Sequence, residues 1–142
     1  MKKNSARIIA LALVVMIFGA VFTACAGSNK PSGTYTLKTI NGQSVKDYYT
    51  KQASDYGMSL DDLLGLSNLT EKDLNDFMTM SFNGDGTGKL DSKVGVASDY
   101  TWEMKDGKLL LTEKSSGVVD TCEFKNNSVT MVSEGLTMVF GK

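Results

Sequence analysis

The chain has 142 residues, enough for one domain of ordinary size. It contains no His, and Arg7 is its only Arg, so the commonest general base and metal ligand is missing, as is the usual fork for phosphate in everything beyond residue 7. From Cys25 onward 12 Lys stand against all 16 acids, a net charge of −4 that argues against nucleic acid, which requires a basic face.

Residues 1–7 are basic and polar, with Lys2, Lys3 and Arg7. Residues 8–22 (IIALALVVMIFGAVF) are almost wholly apolar, and small side chains follow at Thr23, Ala24, Cys25, Ala26 and Gly27. That order is the layout of an export signal. Positive charge stays on the cytoplasmic side, the apolar stretch inserts, and small side chains fit a protease site. Phe22-Thr23-Ala24-Cys25 resembles the lipobox of bacterial lipoproteins, with Phe where Leu is usual. The resemblance implies cleavage before Cys25, lipidation of its sulfur by a diacylglycerol thioether, and often an amide-linked acyl chain as well. Two or more chains hold a protein firmly, whereas one binds reversibly. The alternatives are a plain signal peptide or an uncleaved anchor, although 15 apolar residues are short for a span. The expected organisation is a lipoprotein signal peptide at 1–24, a lipidated tether at 25–32 and a folded domain at 33–142. The expected location is the cell membrane, lipid-anchored, on its extracytoplasmic face. Residues 28–32 (SNKPS) carry the single Pro of the chain and read as a short polar spacer.

Residues 34–40 read as a first strand, with Tyr35 and Leu37 on one side. Residues 41–76 differ. Residues 44–56 have helical character but are polar and Tyr-rich. Ser59 before Leu60-Asp61-Asp62 gives a capping-box start with Gly65 as a stop, and Thr70 with Asp73 gives a second cap leading to Phe77. Two or three short helices are predicted there.

From Phe77 onward the pattern is strand, turn, strand. Met78, Met80 and Phe82 alternate with polar residues, Asn83-Gly84-Asp85-Gly86 turns, and residues 87–91 return. Residues 92–99 form a longer connection. Tyr100, Trp102 and Met104 then share a face, and Asp106-Gly107 is a two-residue hairpin signal. Residues 108–113 follow, and Ser115-Ser116-Gly117 turns. Cys122 and Phe124 share a face, Asn126-Asn127 turns, residues 128–133 return, Glu134-Gly135 turns, and Leu136, Met138 and Phe140 close the chain. The expected class is mainly β: an eight-stranded antiparallel up-and-down barrel or meander, with a short helical insertion between strands 1 and 2.

That layout resembles the calycin group of lipocalins and fatty-acid-binding proteins, the latter with a helical pair between the first two strands. More closely, the chain is similar to small lipocalin-like lipoproteins of Gram-positive bacteria. The matching motifs are Gly33-Thr34-Tyr35, Asn41-Gly42, the hairpin from Phe82 to Gly88, Thr101-Trp102 and Met138-Val139-Phe140, in that order. The resemblance implies a fold more than an activity. Fatty-acid binders fix a carboxylate with an interior Arg, and this domain has none.

No residue pattern requires a cofactor or a catalytic group. Asn83, Asp85, Thr87 and Gly88 approach calcium-loop spacing, but the twelfth position is Val94 and a strand follows, so the reading is a structural hairpin. Cys122 lacks a base and reads as an inert buried thiol. Asp61, Asp62, Glu71, Asp73 and Asp76 suggest the paired carboxylates of a glycosidase, but acids on short helices are usually caps or a solvated face. The interior candidates are Met80, Phe82, Tyr100, Trp102 and Met104, with Met78, Met131 and Met138; they either line a ligand cavity or fill the core. The expected function is that of a non-enzymatic, membrane-tethered lipoprotein. It binds a small apolar ligand in its barrel or works as an accessory or structural envelope protein through protein contacts.

Overall fold

In the computed structural model, which describes residues 30–142, apolar–polar alternation becomes alternation between barrel interior and solvent. The strands are β1 (Gly33–Ile40), β2 (Gln43–Ser44), β3 (Met78–Phe82), β4 (Thr87–Ser92), β5 (Ala97–Lys105), β6 (Lys108–Glu113), β7 (Val119–Lys125), β8 (Ser128–Ser133) and β9 (Leu136–Gly141). β2 is a two-residue stub folded back on the end of β1. The other eight pair antiparallel in the order β1-β3-β4-β5-β6-β7-β8-β9, and β9 returns to β1. The result is a closed eight-stranded barrel, which leaves no exposed edge around its circumference.

Closure requires one irregularity. The β1–β9 register shifts between Leu37 and Thr39. The extra residue in β1 lets Tyr35, Leu37 and Ile40 all point inward, although 37 and 40 differ in parity. Asn41 clamps the closed seam: its N–H donates to the Thr137 carbonyl (2.7 Å), and its Oδ1 accepts from the Thr137 N–H (2.8 Å).

The tight hairpins follow from residues that tolerate positive φ. Asp106-Gly107 (52° and 75°), Asn126-Asn127 (52° and 55°) and Glu134-Gly135 (48° and 80°) each place both central residues there, as hairpin turns matched to strand twist require.

The two ends of the barrel differ. At the root end, where β1 begins, Phe82 packs against Tyr35, Tyr100 and Trp102 at centroid distances of 5.5, 5.8 and 5.7 Å, and Phe124 lies 6.1 Å from Tyr35. This aromatic plug fits because residue 88 is glycine. A Cβ there would stand 2.3 Å from both the Ser81 carbonyl oxygen and the Tyr100 ring.

At the opposite end, residues 45–76 make a helical cap. α1 (Val45–Asp55) is capped by Ser44, whose Oγ accepts from the Asp47 N–H. α2 (Leu60–Gly65) has a full capping box between Ser59 and Asp62. A 3₁₀ turn (Glu71–Asp76) begins on a second box between Thr70 and Asp73. α1 packs on β1 and β2, the 3₁₀ turn packs on β1, and Tyr49 meets Phe77 at 5.2 Å. The cap therefore covers the β1–β3 side of the mouth. The helix expected over residues 44–56 begins at Val45, with Ser44 as its cap. α2 ends at Gly65, the expected stop, and the positive φ that follows it falls on Asn68 (56°).

Candidate functional site

The cap end is where polar side chains turn inward. On β5, β6 and β7 the interior positions nearest that end are Ser98, Glu113 and Asp120, following Tyr100, Leu111 and Cys122 in period two. With Met80, Leu90, Tyr100, Leu111 and Met131 they line a cavity of about 10 Å³, room for about one water molecule. Asp120 pairs in register with Leu111, so Glu113 is its diagonal neighbour on the same face, about 7 Å away by strand geometry. The β7–β8 ladder runs from Lys125↔Ser128 to Glu123↔Thr130, and Asp120 lies beyond it.

The two carboxyls have opposite environments. Glu113 accepts hydrogen bonds from the hydroxyls of Ser116 and Ser98, the latter at 2.9 Å. These hold its carboxyl below the ordinary range. Asp120 sits against apolar wall, and burial, helped by the Glu113 charge, pushes its carboxyl up to about 6. Nothing in the sequence reading singled out this pair. The signal was present, since extending the alternation of Leu109-Leu111 and Cys122-Phe124 by one step reaches Glu113 and Asp120.

The five interior candidates do not converge on that cavity. Met80 and Tyr100 line it. Phe82 is buried in the aromatic plug, with Trp102 partly buried beside it. Met104 is partly buried and packs against the core. The polar atoms of the plug are internally satisfied. Tyr100 donates its hydroxyl to the Ser81 carbonyl (2.5 Å), and Trp102 Nε1–H donates to the carbonyls of Asn83 (3.1 Å) and Thr87 (3.0 Å).

The remaining polar motifs have structural partners. In the hairpin 83–88, Asp85 accepts from the Thr87 N–H (3.0 Å) and hydroxyl (2.6 Å), which holds its carboxyl below the ordinary range. Asn83 Nδ2 donates to Thr87 Oγ1. Asp62 and Asp73 accept from the groups they cap, Glu71 pairs with Lys46 (2.5 Å), and Asp76 pairs with Lys93 (2.9 Å). Among the described residues no cluster of three or more acidic, Cys or His side chains has metal-binding geometry. Cys122 is a free, buried thiol that burial, with the nearby Asp120 charge, pushes up to about 12, and a neutral thiol is a poor nucleophile. Cys25 and the expected signal and tether up to residue 29 lie outside the described residues.

No family model matches the chain. No curated protein matches it either. Among solved structures, a DUF4847 family protein from Bacteroides vulgatus is similar over 78% of this chain and 92% of its own, with 14% identity and a TM-score of 0.41.

Proposed function

We propose that this protein is an extracytoplasmic lipoprotein, acylated at Cys25, whose non-catalytic barrel works through its outer surface in contact with other envelope components. The observation that carries the reading is the charged, apolar and small order of residues 1–27. It ends at a cysteine only eight residues before the strand that opens a closed domain. The interior supports the choice of surface over cavity. The cavity beside Tyr100 holds about 10 Å³, while ligand pockets run to hundreds of Å³. Exposed apolar side chains on the cap, Tyr56 at 55% and Leu66 at 44%, offer contact points at the end away from the tether. The absence of His and the protonated, buried state of Cys122 support a non-catalytic role.

The test is the fate of Cys25→Ser in a bacterial host. The unchanged chain should take up labelled fatty acid and enter the detergent phase, and the variant should do neither. A variant that still carries label and partitions wholly with membranes would remove the lipid anchor at Cys25. A small apolar ligand is the rival reading. Native mass spectrometry of the purified protein decides it, because a stoichiometric retained adduct would favour the barrel interior over the surface.

A further inference from the structure

Charge is divided unequally between the two ends of the barrel. Residues 41–76 hold seven acids against three lysines, which accounts for the whole net charge of −4 beyond residue 24. The remaining barrel is neutral, with nine of each sign. Within it, five lysines crowd the root end. Lys30 precedes β1, Lys105 and Lys108 flank the β5–β6 turn, Lys125 opens the β7–β8 turn, and Lys142 follows β9. Among the described residues, the acidic side chains on that rim are Asp85 and Asp106. Glu103 and Glu123 stand on the outer wall two residues back, about 7 Å from the rim.

The lysines also differ in what they touch. Among the described residues the ion pairs use Lys46, Lys51, Lys89 and Lys93, three of them at the cap end. None of the five root-end lysines is in one. Lys142 lies over the Tyr35 ring at 5.3 Å, and Lys30, Lys105 and Lys125 are exposed. A set of cations outside salt bridges on one rim can meet an external anionic surface.

The tether decides which surface that is. Gly33 lies eight chain steps beyond Cys25, with seven residues between them, a reach of about 28 Å at full extension. Gly33 enters the barrel at the basic rim. An anchor at Cys25 therefore holds the lysines near the headgroups and turns the acidic cap away. We infer that the root-end rim, through Lys105, Lys108, Lys125, Lys30 and Lys142, docks on anionic phospholipid headgroups and so orients the barrel with its helical cap outward. This rests on the lipid-anchor reading for its geometry. Tethering raises the local concentration of the surface, so individually weak, salt-screened attractions suffice to fix an orientation.

Trp102, the single Trp of the chain, lies in the plug of that same end and reports on docking. The processed protein, purified from bacterial membranes, is reconstituted on vesicles carrying a dansyl-labelled lipid. One set is pure phosphatidylcholine and the other contains phosphatidylglycerol. Energy transfer from Trp102 should be about twofold higher on the anionic set at low salt and fall to the neutral level at high salt, as screened surface attraction requires. The triple variant Lys105→Glu, Lys108→Glu, Lys125→Glu should stay at the neutral level throughout, and Lys114→Glu at the cap end should behave like the unchanged protein. Equal transfer on both vesicle sets, or transfer indifferent to the triple variant, would overturn the docking face. If the protein washes off all vesicles at high salt, the anchor has failed. The face then stands only if low-salt binding to anionic vesicles persists and is lost in the triple variant; without that binding it falls.

Discussion

Asp120→Asn should remove a pH-dependent weakness from the barrel. Asp120 lies on the inner face beside apolar wall, and its carboxyl is pushed up from 3.8 to about 6 by burial and by the Glu113 charge. The unfolded chain therefore loses this proton at lower pH than the folded chain does. Between those two values the folded state holds more protons, so stability falls as pH rises, and the loss is complete above about pH 6. A shift of this size in a fully desolvated group would correspond to about 3 kcal/mol. Asp120 is only half-buried, so solvent screening reduces the expected effect to about 1–1.5 kcal/mol. Asn keeps the shape and cannot ionise. Urea unfolding of both proteins should be measured from pH 4 to 8. The difference curve isolates Asp120 from the capping carboxylates Asp62 and Asp73, whose lowered values make their contributions fade at the acid end in both proteins alike. The variant should match the unchanged protein near pH 4 and exceed it by about 1–1.5 kcal/mol at pH 7, in line with the linkage. Parallel stabilities across the whole range would refute the placement of Asp120 against an apolar wall.

Gly88→Ala should be among the most damaging single-methyl additions in the chain. The new Cβ would lie 2.3 Å from backbone and from a ring that Ser81 and Phe82 hold in place. The cost should be about 3 kcal/mol or more, at the upper end for overpacking, and a melting temperature within two or so degrees of the unchanged protein would contradict the contact. Cys122 should resist a thiol reagent at pH 8 in the folded protein and react promptly in denaturant, because burial keeps it neutral and covered. Rapid reaction under native conditions would show that the β7 wall opens readily.

The strand count and connectivity were legible because hairpins announce themselves. Asp106-Gly107, Asn126-Asn127 and Glu134-Gly135 must adopt positive φ, and few residue pairs do so cheaply. Two things were not legible. One was the start of β5 at Ala97, three residues before Tyr100. Ser98 is its interior residue and carries no apolar signal, because its partner is the Glu113 carboxylate rather than the core. The other was closure itself. An open meander and a barrel share one alternation, and what distinguishes them is the β1–β9 ladder, with its bulge between Leu37 and Thr39 and the Asn41–Thr137 clamp at its end. A bulge shifts parity without changing composition, so the spacing 35, 37, 40 looks like noise until the partner strand is known. The inward acids were missed for a related reason: polar residues at expected interior positions read as strand ends.

The placement of Glu113 and Asp120 follows from how the insertion is built. A helical segment between the first two long strands can cover only what it reaches. Here α1 and the 3₁₀ turn pack on β1, while Lys93 ties the 3₁₀ turn to the β4–β5 connection through Asp76 and the Phe77 carbonyl. The β5–β6–β7 side of the mouth is left without a helix, and inward positions there remain near water, which is where carboxyls are tolerated. At the root end the described residues include no helical insertion over the interior, and the strands close it themselves. That requires large aromatic side chains and a glycine at position 88 to admit Tyr100. The same asymmetry places the acid-rich cap at the end away from Gly33, where β1 enters the barrel, and leaves the hairpin lysines at the entry end. The molecule is therefore dipolar along the barrel axis, and the direction of that dipole is set by which end the chain enters.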